Sequence, residues 1–277
     1  MSKLVPSPLL NLLKNYGKEG TNLEIRGTDI AILLKNYKSI LDFIPDVNTP
    51  AIMEPLSSGK EPLTHKRLKE FLLNEFNLNQ FGLADGDRVS SILPNGPELA
   101  VTMVAILTRW CAAPINPTNT WQEIKSELIS TQARAIIILA GASANEAALQ
   151  AADALGVGVL VLTPFDAVTG LFRITVLREV PPRRSDTSVP RVAVSVPGFR
   201  TYTHPETVLL LHTSGTSGNK KLVPYSLDMI IIGVGCIVSS WNLSKDDVCL
   251  NMVIIYYYNN YYNKKSYISI LIYLSYI

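Results

Sequence analysis

Hydrophobic and polar positions fall into a regular order from Leu63 to Leu162. Thr64 stands where an N-cap belongs, before a helix over 65–76 in which Leu68, Phe71 and Leu72 recur at helical spacing. Gly82–Asp87 reads as a turn and Arg88–Leu93 as a short strand. Asn95 is a suitable N-cap, Pro97 suits a first helical position, and Glu98 suits the positive end of a helix dipole. They predict a helix reaching about Arg109, with Leu99, Met103, Ile106 and Leu107 as its apolar stripe. Cys111–Ile115 is strand-like, and Thr120 with Glu123 makes a capping box for a helix over Trp121–Thr131. Ala135–Leu139 and Val157–Leu162 are unbroken apolar runs, as in strands covered on both faces; an alanine-rich helix over Ala142–Leu155 lies between them.

Strands alternating with helices predict an α/β fold with a parallel, helix-covered sheet. Such sheets bind ligands at the carboxyl ends of their strands, which names no chemistry by itself. The flanks are less regular. Residues 1–60 hold two apolar patches, Leu9–Leu13 and Ile30–Ile44, broken by Pro, Asn, Gly and Ser. Within 163–206, Arg173–Leu177 reads as one more strand, and Pro181, Pro182, Pro190, Pro197 and Pro205 with Arg183, Arg184 and Asp186 mark a surface connection.

Composition narrows the class. At 277 residues, 47% hydrophobic and 17% charged, the chain is long and apolar enough for a globular core. A formal charge of +2 gives no argument for nucleic acid or an anionic membrane as partner. Cys111, Cys236 and Cys249 show no CxxC spacing and read as buried thiols of a reduced, cytoplasmic protein. His65, His204 and His212 have no metal-ligand spacing, and His212 reads as a satisfied, partly buried histidine.

The candidate chemistry lies after the apolar strand Val208–His212. Thr213, Ser214, Gly215, Thr216, Ser217 and Gly218 place many backbone N–H groups and four hydroxyls in a small space, and Lys220 and Lys221 follow. Glycines let successive N–H groups converge on one anion, hydroxyls add donors without bulk, and a lysine supplies charge. Polyphosphate is the natural ligand for that combination; a flexible Ser/Gly turn is the alternative. It is not a Walker loop, because Lys221 is followed by Leu222, Val223 and Pro224 rather than a helix. The segment therefore joins two strands, and a helix starts near Ser226 and runs to Trp241.

Residues 213–226 resemble the signature Thr-Ser-Gly-Ser/Thr-Thr-Gly-x-Pro-Lys-Gly-Val-x-x-Ser/Thr of the adenylate-forming superfamily, which includes acyl-CoA synthetases and peptide-synthetase adenylation domains. The match falls on Thr213, Ser214, Gly215, Thr216, Ser217 (a conservative change from Thr), Gly218, Lys221, Val223 and Ser226. Gly86-Asp87-Arg88-Val89, the run from Leu93 to Glu98, Ala113-Pro114-Ile115-Asn116-Pro117 and Glu123-Ile124 are similar as well, so the resemblance covers roughly residues 60 to 252. It implies that ATP with Mg²⁺ activates a carboxylic acid to an acyl-adenylate, releasing pyrophosphate, and that a thiol of CoA or a carrier pantetheine captures the product. It implies a phosphate-holding role for Thr213, Ser214, Gly215, Thr216, Ser217, Gly218 and Lys221. No catalytic residue and no metal ligand is assigned.

The sequence departs from the family at three further places: Lys220 replaces the usual Pro, Leu222 the usual Gly, and Leu227 the usual His after the signature. Leu222 is poorly suited to a positive φ. Lys220 either adds to phosphate binding or repels Lys221. The family's later adenine, ribose and C-terminal lysine motifs are not found in the sequence, so it reads as a truncated N-terminal portion. Residues 254–277 contain eight Tyr and six Ile but no Ala, Gly, Pro or Val, and we read 253–277 as a non-family tail, a translated intron. Tyr267–Ile277 is too short for a membrane span, which needs roughly 20 residues. The expected organisation is an N-terminal segment 1–60, a partial adenylation domain 61–252 and the tail. Two functions stay open: an acyl-adenylating ligase, and a catalytically incomplete relic with at most weak nucleotide binding.

Overall fold

The computed structural model describes residues 37–182, 206–213, 220–240 and 247–248, together with Leu34. The expectations for Leu9–Leu13, Arg183, Arg184, Asp186, Cys249 and the 253–277 tail lie outside the described residues. Strands β1 (Pro50–Ile52) and β2 (Leu63–Thr64) form a small antiparallel pair. The remaining strands are β3 (Arg88–Ile92), β4 (Cys111–Ala112), β5 (Ala135–Leu139), β6 (Gly158–Pro164), β7 (Phe172–Arg178), β8 (Thr207–Thr213) and β9 (Lys221–Ser226). They build one sheet in the order β7-β6-β5-β3-β4-β8-β9. The helices are α1 (His65–Asn74), α2 (Pro97–Leu107), α3 (Trp121–Thr131), α4 (Asn145–Leu155) and α5 (Leu227–Ser240).

The five central strands, β6 to β8, are parallel as the sequence pattern predicts. Both edges differ: β7 and β9 run antiparallel to their neighbours. Chain length explains this. A parallel return needs a crossover of about a dozen residues or more. Only 165–171 separates β6 from β7, and only 214–220 separates β8 from β9. The β6–β7 turn is pressed against the start of α2, where Gly170 has φ +73° and an added Cβ would meet Val101 and Pro97 at 3.0–3.2 Å.

Alternation within the apolar runs supplies cores on both faces. In β5, Ala135 and Ile137 join Leu160, Leu162, Val101, Trp110 and Phe172 on one side. Ile136 and Ile138 join Ile124, Leu128, Ala148 and Ala152 on the other. The first core is reinforced by edge-to-face rings: Phe71 on Phe172 at 5.2 Å and Phe76 on Trp110 at 5.7 Å. Helix α2 is buried on all sides from Leu99 to Leu107, which is why its stripe is wider than four residues.

Local signals mostly placed the helix starts. Thr64 Oγ1 accepts the Arg67 N–H at 3.2 Å, and the Thr120–Glu123 capping box forms as predicted. Two starts differ. Helix α2 is capped by Gly96 rather than Asn95, because Pro97 takes the first helical position itself and the residue before it becomes the cap. Helix α4 begins at Asn145, three residues after the predicted Ala142, and Asn145 Nδ2 donates to the Leu139 carbonyl at 2.6 Å.

Candidate functional site

The β8–β9 hairpin stands at the carboxyl edge of the parallel strands. Its ladder closes on the pair Thr213↔Lys221, with His212↔Leu222 and Leu210↔Pro224 behind it. Thr213 is half-buried, Lys221 is exposed, and the Thr213 hydroxyl lies 3.4 Å from the Lys221 carbonyl oxygen, to which it donates. The structure thus brings the two described residues of the predicted phosphate loop face to face. Ser214, Gly215, Thr216, Ser217 and Gly218 lie outside the described residues.

The strand pleat sorts side chains between the two faces. Leu209 and Leu211 face the α2 side, and Leu210 faces Cys111 and Ala113 on the other. Leu222 packs with that second group. Gln132 is the one non-glycine residue with positive φ among the described residues, so Leu222 is not strained there. Extended backbone in β9 needs no glycine at this position. Pro224 sits on the outermost described strand, where a missing N–H is tolerated.

Sequence reasoning missed a polar cluster on the α3 side. Ile124, Glu127, Leu128 and Thr131 form the buried stripe of α3. Glu127 is a carboxylate inside an apolar periodicity, and that was the available signal. Its side chain is 7% exposed. Oε1 lies 2.6 Å from Lys220 Nζ and accepts from Asn119 Nδ2 at 3.0 Å; Oε2 lies 3.4 Å from His212 Nδ1. His212 Nε2 is 2.8 Å from Ser130 Oγ, one turn along the same helix.

His212 is therefore held between two α3 side chains, as expected of a satisfied histidine. Burial pushes its pKa below the usual 6.5; Lys220 adds to the fall and the Glu127 carboxylate opposes it. Nδ1 faces the Glu127 carboxylate, and Nε2 lies against Ser130 Oγ, whose hydroxyl donates to the Glu127 carbonyl at 2.9 Å. The Glu127 carbonyl remains satisfied by Thr131 Oγ1 at 2.8 Å. Glu123 is held below the ordinary carboxylate range, first by the Thr120 backbone N–H, then by the Thr120 hydroxyl, with Lys220 contributing. Burial pushes the Cys111 thiol up to about 12, with Arg88 opposing, so it stays protonated.

At the hairpin mouth the described residues offer the exposed ammonium of Lys221, a charge suited to an anion, beside a Thr213 hydroxyl whose proton goes to the Lys221 carbonyl. Among the described residues, no group of three or more His, Cys, Asp or Glu side chains could hold a metal ion. The seven-stranded α/β sheet with helices on both faces resembles the N-terminal subdomain of adenylate-forming enzymes. Residues 77–262 match the AMP-binding enzyme family, and the chain belongs to that family.

Relatives agree with the assignment. The chain is 28% identical over 194 residues to an oxalate–CoA ligase of Arabidopsis thaliana, covering 69% of this chain and 35% of that protein. It is 29% identical over 194 residues to the probable CoA ligase CCL9 of Humulus lupulus, covering 69% and 34%. The chain therefore spans about a third of the length of these relatives. Its fold is similar to that of the Brucella canis acyl-CoA synthetase, with TM-score 0.63 at 16% identity over 91% of this chain and 45% of that one. It is also similar to ATP-bound MatB from Rhodopseudomonas palustris, with TM-score 0.56 at 19% identity over 78% and 39%.

Proposed function

We propose that this chain carries the phosphate-holding part of an acyl-adenylating ligase, with ATP as the nucleotide and a carboxylic acid as the co-substrate. The observation that carries the reading is the register pair Thr213↔Lys221, which sets a hydroxyl and an exposed lysine across the mouth of a hairpin at the sheet's carboxyl edge. Thr213, Ser214, Gly215, Thr216, Ser217, Gly218 and Lys221 would hold the phosphates. Hydroxyl, N–H and ammonium donors at such a place stabilise the charge that grows on departing pyrophosphate. Mg²⁺ would arrive with the nucleotide, held mainly by phosphate oxygens, as this small cation prefers. The acceptor would be CoA, as in the CoA ligases the chain resembles, or a carrier pantetheine.

The division into 1–60, a partial adenylation domain 61–252 and a tail 253–277 is part of the same proposal, supported by the composition change after Met252. The family match itself extends to residue 262. A cytoplasmic setting is supported by the free, buried Cys111 thiol.

The second reading, a catalytically incomplete relic with at most weak nucleotide binding, is favoured by Lys220 and Leu227, which stand where the family normally has Pro and His. Carboxylate-dependent exchange of labelled pyrophosphate into ATP separates the two. Exchange with any member of a broad acid panel supports the ligase. No exchange across the panel supports the relic.

A further inference from the structure

The Glu127 cluster answers a question that the phosphate reading leaves open: what a second lysine does beside Lys221. A carboxylate as buried as Glu127 needs a partner that compensates its lost hydration. The partner is Lys220 at 2.6 Å, seconded by Asn119, itself buried, at 3.0 Å. The pleat makes this assignment geometric. His212 pairs with Leu222, so both point to the α3 side, and Lys220, two residues before Leu222, points there too. Thr213 and Lys221, one residue along on each strand, belong to the opposite side. The two adjacent lysines are thus parted by the backbone before any ligand arrives.

We propose that Glu127 is a positioning residue: it pins Lys220 to α3, withdraws that charge from the phosphate site, and leaves Lys221 as the lysine that faces the anion. This rests on the phosphate-binding reading of the hairpin mouth. His212 completes the clamp. Held by Glu127 at 3.4 Å and Ser130 at 2.8 Å, it fixes the end of β8 to the same helix that fixes the start of β9. Both ends of the phosphate segment are then referred to one rigid element.

Calorimetric titration with magnesium pyrophosphate tests the clamp in five proteins: wild type, Lys220→Met, Glu127→Gln, Glu127→Gln/Lys220→Met, and Lys221→Met. Lys220→Met leaves a buried carboxylate uncompensated beside the mouth and should weaken binding about tenfold, the scale of one nearby charge in a partly buried site. Glu127→Gln/Lys220→Met removes both charges and should recover most of that loss. Lys221→Met should weaken binding at least as much as Lys220→Met. A double variant as weak as Lys220→Met means that Lys220 touches the anion directly, and overturns the proposal.

If wild type binds no pyrophosphate, the phosphate reading fails on its own, and ring titration of His212 by NMR then decides the clamp. Glu127→Gln should lower the His212 pKa, and Lys220→Met should raise it. A value unmoved by both substitutions overturns the clamp whatever the ligand.

Discussion

Replacing Thr120 by Ala probes the helix that carries Glu127 and Ser130. Thr120 Oγ1 accepts the Glu123 N–H at 3.3 Å; Glu123 Oε2 receives the Thr120 N–H at 2.8 Å and the hydroxyl at 2.9 Å. Alanine keeps the backbone donor, so the carboxylate retains its strongest contact. What is lost is the acceptor for the Glu123 N–H and the hydroxyl–carboxylate bond. N-cap threonine to alanine typically costs about 1 kcal/mol, within a range of roughly 0.5–2. Glu123 is exposed, which puts the expected loss near the middle of that range. With a urea slope of ~2–3 kcal/mol/M, the midpoint should fall by about 0.3–0.5 M with the slope unchanged. The hydroxyl–carboxylate bond is lost in both Thr120→Ala and Glu123→Ala. The double variant should therefore lose less than the sum of the two, by about 0.5 kcal/mol. The sign with pH is fixed: Glu123's folded pKa is depressed, so its contribution is complete above the ordinary carboxylate value and disappears as pH falls through the folded one. Thr120→Ala should flatten that acid-side loss without abolishing it. An unmoved midpoint, or strict additivity in the double variant, would refute the capping account.

Three further outcomes follow from particular contacts. Gly158→Ala should destabilise by about 1–3 kcal/mol in chemical denaturation, because a Cβ there would meet Val180 Cγ2 at 2.7 Å and Cα at 2.9 Å; a neutral result means that Val180 does not press on β6. His212 holds its proton less well folded than unfolded, so it subtracts stability as pH drops below about 6.5. His212→Gln should reduce the fall in stability as pH drops below about 6.5, and equal slopes in both proteins would contradict the buried, neutral ring. In a Cys236→Ser/Cys249→Ser background, native Cys111 should resist a thiolate-directed reagent at pH 8 that modifies the urea-unfolded chain, since the thiolate is the reactive form. A native rate comparable to the unfolded one would exclude the buried thiol.

Much of the fold was legible because local and global signals agreed. Thr120 and Glu123 marked the start of α3, and the apolar run Ala135–Leu139, with three β-branched isoleucines, fitted a strand buried on both faces. The edge directions were not legible from periodicity, which is the same for parallel and antiparallel strands; the short 165–171 and 214–220 connections decide them. Strand β1 escaped notice because three residues carry too little alternation. In the site, Thr213 and Lys221 were readable as residue types, whereas their pairing across the hairpin is a matter of register. Glu127 was hidden by distance in sequence: its partners Lys220 and His212 lie 93 and 85 residues away and meet it only because α3 packs beside β8. The cost of Leu222 was overstated, since the position proves to be extended strand rather than a left-handed turn.

The central claim is that Lys221 at the mouth of the β8–β9 hairpin meets nucleotide phosphate. Calorimetric titration of Mg-ATP into wild type and Lys221→Ala tests it most directly. The account predicts saturable heat in wild type and an affinity at least about tenfold lower in Lys221→Ala, since a charge-assisted phosphate contact contributes roughly 1.5–3 kcal/mol. Equal affinities in the two proteins, or no saturable heat in wild type, would contradict it.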